Sequence, residues 1–384
     1  MARKRPKSAG SNRPQTGNLP ELLREPLEEA WETFVQASLE AGFSPPVSPE
    51  FIAALQRVWV CSEFVSQTCR RNPEVFYRLL EDGCLLGDYA PGEHCERLAL
   101  ALSDVRDETM LSQVLREFRQ QEMLRIAWRD LAGWAPLNEV LRDLSSLADA
   151  CISTTLGQIS AWAIRQAGAT ARQLKPSLVV LGMGKLGARE LNFSSDVDLI
   201  FAYPDVNAAW HRRNLSADEF YLRIAQQLIR ILDQQTAHGF VFRVDMRLRP
   251  YGDSGPLVAS FDAMADYYQL QGREWERYAM IKARPVAGPE QAAMRLMELL
   301  QPFVYRRYLD FGAFDSLRGL KEQIIREVER KGMQDNIKLG PGGIREIEFV
   351  VQAFQLVRGG REPVLRQRSV LAILAALASL GYLP

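Results

Sequence analysis

The chain has 384 residues, 47% of them hydrophobic and 24% charged, which is typical of a globular protein with two or three packed units. Basic and acidic residues are equal at 47 each, so the net charge gives no reason to expect a nucleic-acid partner, and we expect none. No apolar run approaches the roughly 20 residues of a membrane-spanning helix, and no signal-peptide pattern is found. The five cysteines show no CxxC spacing and predict reduced thiols, so we expect a cytoplasmic protein without membrane contact.

The first part of the chain is predicted to be a tail followed by helices. Residues 1–18 contain five basic residues and no acid, and they predict a disordered basic tail. An arm that touches nucleic acid is the less favoured alternative. Residues 19–173 predict a helical region, because apolar residues recur at spacings of about three and four. The clearest example is Leu111, Leu115, Phe118, Met123, Ile126 and Trp128.

Residues 174–288 change to a pattern of strands. A short apolar run over 177–181 and another over 197–203 predict buried strands. Residues 240–248 alternate between apolar and polar side chains and predict a third strand. A helix is predicted between them, over 217–234.

The remaining residues, 289–384, are predicted to be helical again. A glycine loop at 340–343 precedes a predicted helix over 344–358. The last apolar segment, 369–384, stops without a closing domain, which favours a fragment of a longer protein. The predicted fold class is therefore α+β, with a mixed β-sheet core between mainly helical amino- and carboxy-terminal regions.

Chemistry is concentrated in LGMGKLGARELNFSSDVDLIF, residues 181–201. The Gly-x-Gly-x-x-Gly spacing matches the dinucleotide-binding fingerprint, but that fold needs a full crossover helix and an acid at the end of the second strand. Here the acids stand at the beginning of the second predicted strand, about nine residues after the last glycine. A P-loop is excluded as well, because Lys185 lacks the GxxxxGK[ST] context.

Asp196 and Asp198 are two residues apart on a predicted strand, so both carboxylates face one side, roughly 7 Å apart at the backbone. Two such carboxylates are costly together unless a cation neutralises them, and their hard oxygens suit Mg²⁺, or Mn²⁺, bound with substrate phosphates. Asp245, on the third predicted strand, is a candidate third ligand. Three acids of this kind can hold two metal ions about 4 Å apart.

Basic residues beside these acids are candidates for phosphate contact. Arg247 and Arg249 flank the third acid, although they could equally be exposed surface residues. Lys185 is either a phosphate contact or a surface residue at a helix start, and Ser195 could simply turn the chain into its strand. Further basic candidates, each also explicable as a surface ion-pair residue, are Arg277, Lys282, Arg284, Lys338 and Arg345.

Four segments together closely resemble the bifunctional glutamine synthetase adenylyltransferase/adenylyl-removing enzymes. They are GMGKLGARELNFSSDVDLIFAY, FVFRVDMRLRPYGDSGPLV, GREWERYAMIKARPVAG and NIKLGPGGIREIEFVVQ. That family is internally duplicated, with one nucleotidyltransferase domain in each half, and this chain carries a single copy of the motif. Its ELNFSSD sequence resembles that of the amino-terminal, adenylyl-removing half of the family's proteins.

The resemblance implies a nucleotidyltransferase core that removes AMP from a tyrosine of glutamine synthetase by phosphorolysis, releasing ADP. It implies metal ligation by Asp196, Asp198 and Asp245, and it places Gly184, Lys185 and Ser195 near the nucleotide phosphates. It also implies phosphate as co-substrate, and control by the PII signalling protein and by glutamine. Two alternatives stay open: adenylyl transfer from ATP to a hydroxyl, and a regulatory binding module without catalysis.

Overall fold

The computed structural model describes residue 14 and residues 16–46, 48–166, 177–204, 216–306, 311–333 and 335–383, except for some side chains between 311 and 327. The predicted basic tail, residues 1–18, lies outside the described residues apart from 14 and 16–18. Of these, Thr16–Asn18 form a single 3₁₀ turn. The chain forms two compact units, one of Met1–Ala101 with Gln113–Leu147 and the other of Leu102–Ser112 with Ala148–Pro384. The boundaries predicted at residues 173 and 288 stay predictions.

The first unit is helical. Its core is aromatic: the Phe34 ring is fully buried, with its centroid 5.4 Å from that of Trp59 and 5.5 Å from that of Phe76. Both contacts are edge-to-face, the geometry that aromatic rings prefer over direct stacking. The helices that precede the sheet, two of which also enter the second unit, are α1 (Glu21–Glu40), α2 (Pro49–Cys61), α3 (Glu63–Arg71), α4 (Pro73–Glu81), α5 (Glu93–Ala101), α6 (Glu108–Leu131) and α7 (Leu137–Gln166).

Helix α6 confirms the predicted helical periodicity, because all six apolar residues that carried the prediction are buried. Several charged residues that stand between these apolar positions are also buried. Arg125, fully buried, donates to Glu122 at 3.0 Å and to Asp143. Arg129 donates to Glu139 at 2.7 Å. Buried charges persist only when paired in this way, and a helical repeat does not reveal pairing between helices.

The second unit contains the sheet, whose strands are β1 (Val179–Gly182), β2 (Val197–Tyr203), β3 (Val244–Asp245), β4 (Val258–Ser260) and β5 (Arg284–Ala287). The strand order is β3-β2-β1-β5, and β4 also pairs with β2. β1 is antiparallel to β2 and β5, whereas β3 and β4 are parallel to β2, so the sheet is mixed as predicted. The antiparallel β1–β2 pair agrees with the exclusion of a dinucleotide-binding fold, which needs parallel strands there.

The strand predicted over residues 240–248 is wrong in length. Only Val244 and Asp245 pair with β2, opposite Val197 and Asp198. The chain then turns, and the amide of Arg249 donates to the carbonyl of Met246 at 3.3 Å. Apolar alternation predicts a half-buried strand, but the length of a strand is set by how many backbone groups find a partner.

Helices cover the sheet. Helix α9 (Ala217–Asp233) confirms its prediction, because Phe220, Ile224, Leu228 and Ile231 are all buried. The helix predicted over 344–358 is present with the same bounds, as α14. Besides α9, the helices that follow β1 are α8 (Gly184–Ala188), α10 (Phe261–Leu270), α11 (Glu274–Met280), α12 (Glu290–Val304), α13 (Phe311–Arg330), α14 (Ile344–Arg358) and α15 (Val370–Ser379). Among the described residues, no helix is both long enough and apolar enough to cross a membrane.

Candidate active site

A cleft of about 830 Å³ in the second unit brings most of the predicted site residues together. Its lining includes the two acids of the Asp-x-Asp pair, the third acid and most of the predicted phosphate contacts, namely Gly184, Lys185, Ser195, Asp196, Asp198, Asp245 and Arg247. Arg249 does not line it. Its guanidinium donates to the backbone carbonyl of Met246 at 2.7 Å and to that of Asp253 at 3.2 Å, so it holds the turn after β3.

The acids are positioned by strand pairing. Asp198, on β2, is the direct register partner of Asp245, on β3, and the pairing is parallel. Side chains at paired positions of neighbouring strands lie on the same face of the sheet, so the two carboxylates face the cleft together. Asp196 immediately precedes β2 and lines the same cleft.

The glycine turn is shaped by what lies against it. Gly184 has φ +52°, and a Cβ there would lie 2.8 Å from Oδ2 of Asp198. A Cβ on Gly187 would lie 1.9 Å from the backbone carbonyl oxygen of Lys282. Gly184 therefore leaves room for the carboxylate of Asp198. Gly187 lets the short helix α8 pack closely on the backbone that follows α11.

Two of the three carboxylates are paired with arginines. Arg243 donates to Oδ1 of Asp196 at 2.5 Å and to the carbonyl of Ser194 at 2.8 Å. Arg247 holds Asp245 with its backbone amide at 2.8 Å and with its guanidinium. Bidentate contacts of this kind are the strong ones. The hydrogen bonds from Arg247 hold the pKa of Asp245 below its ordinary value.

Asp198 is in the opposite situation. Its carboxylate has no hydrogen-bond or ion-pair partner among the described residues, and burial, followed by the negative charges of Asp245 and Asp196, raises its pKa to about 6. A half-buried carboxylate beside two others, without a cation of its own, is costly when ionised.

This donor set fits a divalent cation, because a bound ion would supply the positive charge that Asp198 lacks. The fit requires movement, since the three carboxylates do not bring one oxygen each within 4.8 Å of one another. In the described part of the chain, only Asp88, Glu139 and Asp143 do so. Those three already bind Arg142, Arg129 and Arg125, so that group is a set of ion pairs.

A loop residue that the sequence did not single out joins two predicted contacts. Oδ1 of Asn192 accepts from Nζ of Lys185 at 2.8 Å and from Oγ of Ser195 at 2.9 Å. The loop between α8 and β2 is thereby closed over the start of Asp-x-Asp. Asn192 belongs to the ELNFSSD segment, so its position beside the serines was the available signal.

The remaining basic candidates separate into two groups. Lys282, Lys338 and Arg345 line the cleft. Arg277 does not, since it is buried and donates to the carbonyl of Val304 at 3.0 Å. Arg284 also lies outside, with both terminal nitrogens 2.9 Å from the carboxylate of Asp149. Sequence reasoning did not select Arg243, which contacts Asp196, or Tyr278 and Glu348, which line the cleft. All three lie in the quoted motif segments, which were the available signal.

Comparison with known proteins gives long, high-identity matches to one group. The chain is 53% identical over 370 residues to a protein of Nitrosococcus oceani, covering 95% of this chain and 38% of that protein. It is 50% identical over 380 residues to one of Pseudomonas aeruginosa, with 97% and 39% covered. Both are named bifunctional glutamine synthetase adenylyltransferase/adenylyl-removing enzyme. The chain thus spans about two fifths of the length of these curated relatives.

Two family models match separate parts of the chain. The model described as GlnD PII-uridylyltransferase matches residues 318–384. The model described as glutamate-ammonia ligase adenylyltransferase matches residues 52–298, which include all three acids, the glycine turn and the whole sheet. With close to two thirds of its length matched by the latter, the chain belongs to the glutamate-ammonia ligase adenylyltransferase family of nucleotidyltransferases.

Proposed function

We propose that this chain removes AMP from an adenylylated tyrosine of glutamine synthetase by phosphorolysis, giving ADP and unmodified synthetase. The observation that carries the proposal is the cleft that combines three acids with several basic side chains. Its chemistry suits a reaction in which an adenylyl group passes from one oxygen to another and no covalent enzyme intermediate is needed. The printed names of the relatives, which include the adenylyl-removing activity, support the choice of substrate.

Asp196, Asp198 and Asp245 would hold Mg²⁺, or Mn²⁺ in its place. A bound divalent ion supplies charge stabilisation for the attacking and leaving oxygens. Asp198, which has no cationic partner, is the central ligand in this proposal. Asp196 and Asp245 would each exchange an arginine contact for the ion, freeing Arg243 and Arg247 to face a phosphate group.

The basic side chains of the cleft stabilise the charge of the reacting phosphate groups. An oxygen of inorganic phosphate bonds to the α-phosphorus of the tyrosyl-AMP, and the bond from that phosphorus to the phenolic oxygen breaks. Arg247 and Lys185 offset the negative charge that spreads over the phosphoryl oxygens. The loop closed by Asn192 holds Lys185 and Ser195 at the edge of the cleft.

The test is to mix the chain with adenylylated glutamine synthetase, Mg²⁺ and phosphate, and to follow ADP. We expect ADP in proportion to the synthetase that regains activity. Absence of ADP, also with uridylylated PII present, contradicts the proposal for this chain. If the chain instead consumes ATP and adenylylates unmodified synthetase, the reaction runs in the transfer direction.

The acids can be tested separately. Asp196→Asn keeps the size of the side chain but removes its charge, so turnover should be lost while the unfolding midpoint stays close to that of the unaltered chain. Asp266→Asn, on the exposed face of α10 and outside the cleft, is the matched control. Full activity of Asp196→Asn would refute the metal assignment.

Regulation is a second part of the proposal. We infer that uridylylated PII and glutamine control the reaction, and the match of residues 318–384 to a PII-uridylyltransferase model favours a link to PII. The measurement is the rate of ADP formation with uridylylated PII, unmodified PII or neither. Equal rates in all three would remove PII control from the proposal for this chain.

A further inference from the structure

The charges that line the cleft are partly segregated. The three aspartates come from β2, its preceding loop and β3, with Arg247 beside them. The other basic residues come from α8, from the segment after α11, from the segment before the glycine loop and from α14, which also contributes Glu348. Lys338 and Arg345 flank the glycine loop. The loop is closed by a backbone hydrogen bond in which the amide of Arg345 donates to the carbonyl of Lys338 at 3.0 Å.

Two of the basic residues, Arg247 and Lys282, are already neutralised. The guanidinium of Arg247 holds the carboxylate of Asp245. Nζ of Lys282 lies 2.7 Å from Glu348 and 3.7 Å from Glu190, and its side chain is 7% exposed. A lysine with two carboxylates against it has no charge left to offer a ligand. Its ion pair with Glu348 holds α14 against the sheet region.

The others are not neutralised. Lys338 and Arg345 have no acidic side chain within 4.0 Å among the described residues, and Lys185 bonds to a neutral amide oxygen. Burial, and then the charge of Lys338, lower the pKa of Lys185, which indicates that Lys185 and Lys338 lie near each other. Cations that lie close together without an acid in contact are favourable only when an anion joins them.

We propose that Lys338 and Arg345, with Lys185 beside them, form the subsite for inorganic phosphate, the co-substrate of phosphorolysis. This assignment rests on the proposed function. The tyrosyl-AMP diester carries one negative charge, whereas the phosphate dianion carries two and is repelled by three aspartates. The basic side chains that line the same cleft offset that repulsion.

The reaction at this subsite balances. Hydrogen phosphate and tyrosyl-AMP give ADP and tyrosine: a phosphate oxygen bonds to the α-phosphorus, and the phenolic oxygen departs with the electrons of its bond. The proton of hydrogen phosphate passes to the phenolate. Lys338 and Arg345 hold the attacking dianion and later the β-phosphate of ADP.

The experiment compares Lys338→Gln, Arg345→Gln and the double variant with Lys331→Gln, a matched change at an exposed lysine outside the cleft. A charge-assisted contact to an anion is worth about tenfold or more in affinity. We expect each cleft variant to raise KM for phosphate by about tenfold, and the double variant to raise it further. KM for adenylylated synthetase, and kcat at saturating phosphate, should change little. An unchanged KM for phosphate, or a change confined to KM for the synthetase, overturns the assignment.

A binding measurement separates this proposal from the proposed function. Inorganic phosphate is titrated into the metal-free chain by calorimetry, with chloride at equal ionic strength as the control. Binding that the double variant loses and Lys331→Gln keeps supports the subsite even if no ADP is ever formed. Phosphorolysis with phosphate binding that the double variant leaves intact refutes the subsite and leaves the function standing.

Discussion

Asp198 and Asp245 are direct partners in a parallel pairing of only two residues on each strand. The pairing places two carboxylates side by side, and only Asp245 has an arginine to balance it. Burial, and then the negative charges of Asp245 and Asp196, raise the pKa of Asp198. The site is thus built around a charge that the protein alone leaves uncompensated, which is the condition for strong binding of a cation.

Asp198→Asn should stabilise the metal-free chain at pH 7.5. The folded-state pKa, about 6, lies above the ordinary value of 3.8, so the folded chain binds more protons than the unfolded chain between these values. Stability therefore falls as the pH rises from about 4 to 6, and the full penalty is present above that range. A neutral side chain removes it, with a gain of about 1–3 kcal/mol. Thermal unfolding in a chelator at pH 7.5 and pH 4 is the measurement. A variant that is less stable at both values contradicts the prediction.

Added Mg²⁺ should reverse the order of stability, so that the unaltered chain becomes more stable than Asp198→Asn. A ligand that binds only the folded state raises stability by mass action, so Mg²⁺ should raise the unfolding midpoint of the unaltered chain. The midpoint of Asp198→Asn should stay nearly constant over the same titration. An equal shift in both proteins would mean that the ion binds elsewhere.

Gly184→Ala should damage the site, because its Cβ would lie 2.8 Å from the carboxylate of Asp198 and the residue has positive φ. We expect a loss of about 1–2 kcal/mol in the free energy of unfolding and weaker Mg²⁺ binding. Gly157→Ala is the matched control: this glycine is exposed in α7 with open space around it, so alanine should add about 0.5–1 kcal/mol. Equal effects of the two changes would refute the steric argument.

His94 in the first unit should make the protein less stable in acid. Burial, and then the charge of Arg125, lower its pKa to about 3 from 6.5. Between those values the unfolded chain binds a proton that the folded chain does not, so stability falls as the pH drops from about 6.5. His94→Gln should reduce the pH dependence of the free energy of unfolding by up to about 1.4 kcal/mol per pH unit between pH 4 and 6. His238→Gln, at an exposed position, is the control for loss of a histidine. An unaltered slope in His94→Gln would show that this residue is not the source.

Lys282 and Glu348 should be strongly coupled. Lys282→Met leaves Glu348 and Glu190 without their shared cation, and breaking a buried pair on one side costs about 2–4 kcal/mol. The double variant Lys282→Met/Glu348→Gln should lose less than the sum of the single changes. Urea unfolding of the four proteins measures the coupling. Strict additivity would mean that the contact contributes nothing.

Local patterns in the sequence were enough for much of the fold. The spacing of Leu111 to Trp128 predicted α6, and the stripe from Phe220 to Ile231 predicted α9, because a helix buries residues that are close along the chain. The position of Asp196 and Asp198 at the start of a strand excluded a dinucleotide fold, and the antiparallel β1–β2 pair agrees with that. These inferences depend only on neighbouring residues.

The tertiary structure decided the features that join distant parts of the chain. Asp245 faces Asp198, while Arg249, only four residues later, supports a turn outside the cleft. Lys338 and Arg345 reach the same cleft from a different motif. The sequence by itself determined which chemical groups are present and which local elements carry them. The partner of each charge was decided by strand register and helix packing, since these depend on contacts between residues far apart in the chain.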